Sequence, residues 1–305
     1  MKYFQSTGFF CLLYLGVFWC LSFGVSILIP NSQITNAIVY VGIALCGILF
    51  TIISGKDIKK TLRLHKMHVG SIILVILMSL TIRPFASLIS QMGTMIFQDI
   101  TTSSINRQLS NGLIPALTTM AFLPGLVEEM TFRGIIYSGL RKANPIKGIL
   151  LSALFFGLAH MNFQQFCYAF FLGLVFGLVI EATDSIFSTM LMHMCFNGLS
   201  VAISYIMYHS GTLSKILNSS TVAQTTTWDS VIILIPSAFL GAVLSILLFL
   251  AIAKLNGRLG YIKTWFSKDI RKTWPKEKAS SISYWIAIGI CIFIAFIIEV
   301  AGQLH

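Results

Sequence analysis

The chain has 305 residues, of which 56% are hydrophobic and only 10% charged, against roughly 25% charged in an average soluble domain. Its 21 basic and 10 acidic residues cannot cover a soluble surface of this length, which excludes an ordinary soluble enzyme and leaves a chain whose solvent is lipid. A formal charge of +11 does not indicate a nucleic-acid partner either, because the Lys and Arg residues form short clusters between apolar runs, the pattern of juxtamembrane charge.

A hydrocarbon core about 30 Å thick needs about 20 apolar residues in a helix. Nine runs are candidates: 8–29, 37–54, 69–90, 112–140, 147–161, 164–182, 186–208, 230–254 and 282–301. The fold class expected is therefore an all-α polytopic membrane bundle, with the lipid bilayer as its first partner. Three parts are distinguished: N-terminal transmembrane helices over 1–111, a core over 112–208, and C-terminal transmembrane helices with a basic cytoplasmic loop over 209–305. The first run is longer than the roughly 7–15 apolar residues of a secretory signal and lacks a small-x-small cleavage site, so it reads as a retained anchor.

Charge placement orients the bundle, since cytoplasmic loops are enriched in Lys and Arg. With the N-terminus cytoplasmic, the loop 55–68 carries five basic residues, the turn 141–147 three and the loop 254–281 eight, which with Lys2 makes 17 of the 21. Arg107 and Lys215 fall on the other side. Arg83, before the helix-kinking Pro84, is expected to snorkel to the outer interface, and Glu299 likewise sits near an outer helix end.

In the fourth run, Glu128 and Glu129 precede Arg133. Glu129 and Arg133 are four apart, acid first, the favourable order for an intrahelical pair. Glu128 points about 100° away, so one acid reads as neutralised and the other as available. The turn 141–147 leads to Phe156 and His160, also four apart, which sets the ring against the imidazole. The Gly173 and Gly177 pair in the sixth run supports close helix packing. Glu181 is expected at the inner interface in solvent, and Thr183-Asp184 is expected to cap the seventh helix. His193 and Asn197 then project from one side of that helix. At about 1.5 Å per residue, Glu128, His160 and Asn197 each lie about 20 Å from the inner end and His193 about 14 Å.

Ionisable groups in mid-membrane cost at least about 2.5–3.5 kcal/mol on insertion scales, so their shared level asks for a function. A carboxylate and an imidazole holding one water can remove its proton as it attacks a carbonyl, and a second His with an amide can donate to the oxyanion. A purely structural polar network and a proton-coupled transporter stay open as alternatives on these residues alone.

The remaining features carry no site. The six cysteines, Cys11, Cys20, Cys46, Cys167, Cys195 and Cys291, fall in apolar runs without Cys-x-x-Cys spacing and read as small buried hydrophobes. His65 and His68 lie in a basic loop without a third ligand. The Ser- and Thr-rich stretch 209–229 reads as a connector, and its Asn218-Ser219-Ser220 matches a glycosylation acceptor to which little weight is given.

Glu128-Glu129-x-x-x-Arg133, Phe156-x-x-x-His160 and His193-x-x-x-Asn197, in that order on successive apolar runs, resemble the CAAX prenyl protease and bacteriocin-processing family, also called CPBP or Abi. The resemblance covers about 112–205. It implies a multi-helix intramembrane endopeptidase in a bacterial cell membrane, acting on a peptide or lipidated protein. By this resemblance Glu128 and His160 activate the water, His193 and Asn197 stabilise the oxyanion, and Glu129, Arg133 and Phe156 support them. A non-proteolytic bacteriocin-immunity or regulatory protein of the same family is the alternative. Members have been described both as metalloproteases and as glutamic proteases. Zinc could sit on Glu128, His160 and His193, but no cofactor is the reading adopted, because Asn197 suits an oxyanion better than zinc and Glu129 is paired.

Overall fold

The structure, a computed structural model, describes residues 3–29, 31–142, 144–210, 227–275 and 279–303. Nine helices carry the fold: α1 Tyr3–Leu28, α2 Ser32–Ile53, α3 Val69–Thr94, α4 Leu113–Leu140, α5 Pro145–Leu158, α6 Phe163–Thr183, α7 Ile186–His209, α8 Trp228–Leu255 and α9 Ile282–Gln303. No strand occurs among the described residues. Eight of the nine are long and apolar enough to cross a membrane; α5 is shorter. The chain is an all-α polytopic membrane bundle. Short helices Ile58–Thr61, Thr102–Leu109, Leu259–Thr264 and Lys268–Thr273 run through the connections, and the Asn218 acceptor lies outside the described residues.

The helix limits follow from caps. Asn31 accepts from the backbone N–H groups of Gln33 and Ile34 at the start of α2, Asn144 from Lys147 ahead of Pro145, and Asn162 from Gln165 before α6; each satisfies donors that a first turn leaves open. The seventh run departs from expectation here. Ser185 occupies the N-cap position of α7, whereas Asp184 sits at the end of α6 with φ +52°. Its left-handed backbone reverses the chain and takes it out of reach of the capping role.

α6 lies at the centre, with 61% of its apolar window buried against 22% for α8 and 17% for α1. It forms a tight hairpin with α5, where Gly173 faces Ala153 and Gly177 faces Ile149 closely enough that a Cβ at either would collide. α4 and α7 pack beside it, α1 lies between α2 and α9, and α8 covers α3. One hydrophobic core joins residues from α1 through α9. Large apolar side chains such as Ile53, Leu28 and Ile233 point outward, a belt that a soluble protein would not expose and that a lipid solvent accommodates.

α3 bends after Thr81. Pro84 cannot donate to the carbonyl four residues back, and the bend lets Gly241 of α8 approach the Thr81 carbonyl so closely that no side chain would fit. Thr81 and Ser245 hydroxyls bond at 2.8 Å across the same contact.

The basic connections gather at one end of the bundle around a buried acid. Glu181 is fully enclosed, contrary to its expected place in solvent. Its Oε1 accepts from Arg63 at 2.6 Å and Tyr137 at 3.0 Å, and Arg141 and Arg258 reach its Oε2 at 3.1 and 3.4 Å. Arg63 also pairs with Asp184 at 3.4 Å, and the His65 Nδ1 lies 2.9 Å from the Asp184 carbonyl. Three connections are thereby tied to the end of α6. His68 instead caps α3 by accepting from Gly70.

Candidate active site

α4 is not a uniform α-helix. Two segments, Thr118–Phe122 and Glu129–Ile136, are π-helical, and a short α stretch Leu123–Glu128 separates them. Such widened turns cluster at functional sites. Pro124 has no N–H for the Met120 carbonyl that an α-helix would pair with it, and the side chain of Asn197 on α7 donates to that carbonyl at 3.0 Å. The break in α4 thus fixes Asn197.

Glu129 and Arg133, both essentially unexposed, form the ion pair that their spacing predicts, at 3.1 Å. The Glu129 Oε1 also accepts from the His193 Nδ1 at 2.9 Å. The Arg133 guanidinium lies between two rings, 4.2 Å from the Phe156 centroid and 5.0 Å from Phe176, and donates to the Gly173 carbonyl at 3.4 Å. Its desolvation is offset by one carboxylate, one carbonyl and two π faces. Phe176 also stacks on His193 at 5.1 Å. Glu129 and Arg133 do not reach the cavity described next; they form a layer behind it.

A cavity of about 830 Å³ brings together Glu128, His160, His193 and Asn197. Glu128 is 17% exposed, its Oε1 accepts from the Tyr40 hydroxyl at 2.9 Å, and its Oε2 lies 4.0 Å from the His193 Nε2. His160 stands just past the end of α5, in the turn before Asn162, and not inside a helix as the run 147–161 implies. Its ring is edge-on to Phe156 at 5.2 Å, and its Nδ1 lies 2.8 Å from the Phe156 carbonyl. A carbonyl only accepts, so Nδ1 carries the proton and Nε2 keeps a lone pair in the neutral ring. The same logic applied to Glu129 puts a proton on the His193 Nδ1, so its Nε2 donates only when the ring is doubly protonated.

Three residues escape the sequence reading. Tyr40 comes from α2, 88 residues before its partner, with no local pattern to mark it. Arg83 does not snorkel outward. It donates to the Phe196 carbonyl at 2.6 Å and the Ser200 hydroxyl at 3.0 Å, lies over the Phe196 ring, and lines the cavity, because the bend at Pro84 turns it toward α7. Phe176 gives no signal apart from its place in an apolar run. Among the described residues no group of three His, Cys, Asp or Glu side chains is disposed to hold a metal ion, and all six cysteines are free.

Residues 110–199 match the family model described as type II CAAX prenyl endopeptidase Rce1-like. This segment is Rce1-like. It contains every one of Glu128, Glu129, Arg133, Phe156, His160, His193 and Asn197, so the residues that carry the motif resemblance all lie within the segment that is similar to this protease family. Neither the curated proteins nor the solved structures contain a match to the chain.

Proposed function

We propose that the chain is an intramembrane endopeptidase in which Glu128 and His160 activate a water for attack on a peptide carbonyl. The observation that carries this reading is the meeting of Glu128, His160, His193 and Asn197 on one cavity within the Rce1-like segment. The Tyr40 hydroxyl occupies one oxygen of Glu128 and leaves the other for the water. His160 presents the Nε2 lone pair as a second acceptor. As the carbonyl becomes tetrahedral, its oxygen is held by the second N–H of the Asn197 amide and, when the His193 ring is doubly protonated, by its Nε2–H. The proton taken from water passes to the leaving amine. Glu129 and Arg133 touch no substrate; they set the ring plane of His193 through the bond at its Nδ1. Phe156 holds His160 through its carbonyl and Arg133 through its ring.

Water activation in this reading needs no metal. Asn197 suits an oxyanion, and Glu129, shared between Arg133 and His193, is not free to serve as the base that a zinc ion on Glu128, His160 and His193 would call for. Stoichiometric zinc in purified active protein, with activity lost to chelators and restored by zinc, would overturn this choice. We place the N-terminus and the basic loops on the cytoplasmic side of a bacterial cell membrane, following the charge bias.

The test is cleavage of a peptide library by purified protein in bilayers, read by mass spectrometry. Glu128→Ala should abolish cleavage and leave the fold intact. Cleavage unchanged in that variant sinks the assignment. Protection of a host cell from a bacteriocin that survives Glu128→Gln and His160→Ala would favour the immunity role, exerted by binding.

A further inference from the structure

The cavity has a direction. On every helix it touches, its lining residues stop about two helical turns or more short of the end where the basic connections gather. In the other direction they continue to the surface: Ser87 and Ser90 on α3, Asn36 on α2, and then Asp99, Ser104 and Gln108 in the connection 95–112. Asp99 and Ser104 are exposed. The lining also changes in character along this path. Near Glu128 it is aromatic, with Tyr14, Phe18, Phe156 and Tyr168, whereas the mouth offers amides, hydroxyls and one carboxylate. Apolar walls around the reacting groups would hold an apolar side chain, and a polar mouth supplies partners for the unpaired backbone of an extended segment.

We infer that the cavity takes its substrate from the membrane face opposite the basic loops, so that the substrate is an extended peptide segment exposed on the extracytoplasmic side with an apolar residue next to the bond cut. The word substrate rests on the hydrolytic reading above; the direction of access does not. It rests on two independent grounds, the bias of cytoplasmic loops toward Lys and Arg, which puts the basic connections on the cytoplasmic side, and the run of the lining toward the other end of the bundle. A segment from the cytoplasm would have to pass the Glu181 cluster, where Arg63, Arg141 and Arg258 close the end of the bundle.

The experiment is thiol labelling of the full-length chain with a membrane-impermeant maleimide in right-side-out and inside-out vesicles. Ser104→Cys reports the mouth, Ser87→Cys and Asn36→Cys report the cavity wall, Lys59→Cys reports the basic end, and the wild-type chain gives the background. The expected result is labelling of the mouth and wall positions in right-side-out vesicles and of Lys59→Cys only in inside-out vesicles. Two cavity positions are used so that one unfolded variant does not decide the matter. Wall positions labelled from the same face as Lys59→Cys, or from neither face while Ser104→Cys labels, would overturn the inference. If no peptide is ever cut but the expected labelling pattern holds, the access route stands and hydrolysis alone falls.

Discussion

Two buried carboxylates show how differently one bundle can use the same charge. Glu181, at the basic end, is surrounded by Arg63, Arg141, Arg258 and the Tyr137 hydroxyl, and both its oxygens are taken. Around Glu129, at mid-bundle, one oxygen serves both Arg133 and His193, while Oε2 has no hydrogen-bond partner. Beside it, Glu128 and His160 each keep a free acceptor facing the cavity. The first cluster is saturated and joins connections; the second is left incomplete, and the incompleteness is what a reacting molecule can use. Saturation, more than burial, separates a structural ion cluster from a chemical one here.

The largest effect should come from the unsaturated region. Glu128→Gln keeps the volume and an acceptor for Tyr40, so thermal stability in detergent should hold while turnover falls by about 10²–10⁴-fold, the usual worth of a general base. A variant that melts early would move Glu128 to the structural side of the comparison. Glu181→Leu should do the converse. Leaving Arg63 buried without its carboxylate should cost about 3–5 kcal/mol, read as a lower midpoint of unfolding, with turnover per folded molecule preserved. Loss of turnover without loss of stability would break the contrast.

Smaller effects sharpen it. Gly241→Ala sets a Cβ against the Thr81 carbonyl and should cost about 1–3 kcal/mol as overpacking; since Arg83 follows that bend, KM should respond more than kcat if Arg83 touches substrate. Least of all is a pH effect at the cavity mouth. Burial alone would raise the Asp99 carboxyl, yet bonds from Thr102 and Thr101 outweigh it and hold it below the ordinary Asp range. A depressed folded-state value contributes stability above the unfolded value, about 3.9, and loses it as pH falls through the folded one. Hydrogen exchange in the connection 95–112 should therefore rise only in acid, and Asp99→Asn should remove the acid dependence.

Spacings of four residues report what local geometry controls. Glu129 with Arg133, Phe156 with His160, and the common face of His193 and Asn197 all follow from residues four apart. What they missed depends on tertiary neighbours. Glu181 reads as an interface residue until three arginines from separate connections converge on it. Arg83 reads as a snorkelling cation on a straight helix, and only the bend at Pro84 brings it inward. Tyr40 is one aromatic ring in an apolar run until α2 docks on α4. His160 lies past the helix end at Leu158, but backbone bonds from Ala159 to Phe155 and from His160 to Gly157 carry the turn on through it, so a count along the helix still reaches it.

The π segments of α4 have a consequence for how this helix tolerates change. Each widened turn acts as a one-residue insertion, which shifts the rotational phase of everything beyond it by about 100°. Glu128 stands between two such phase shifts, so its bearing toward Tyr40 is set independently of the stretches on either side. Deleting a single residue within Thr118–Phe122 would close the widened turn to an α turn and keep the Glu-Glu-x-x-x-Arg motif on its bearing. Deleting one from the α stretch Leu113–Leu117 instead would preserve the hydropathy, the length needed to span and every residue of that motif, and yet turn it by about 100° against the start of the helix. Sequence comparison would still pass such a chain as intact.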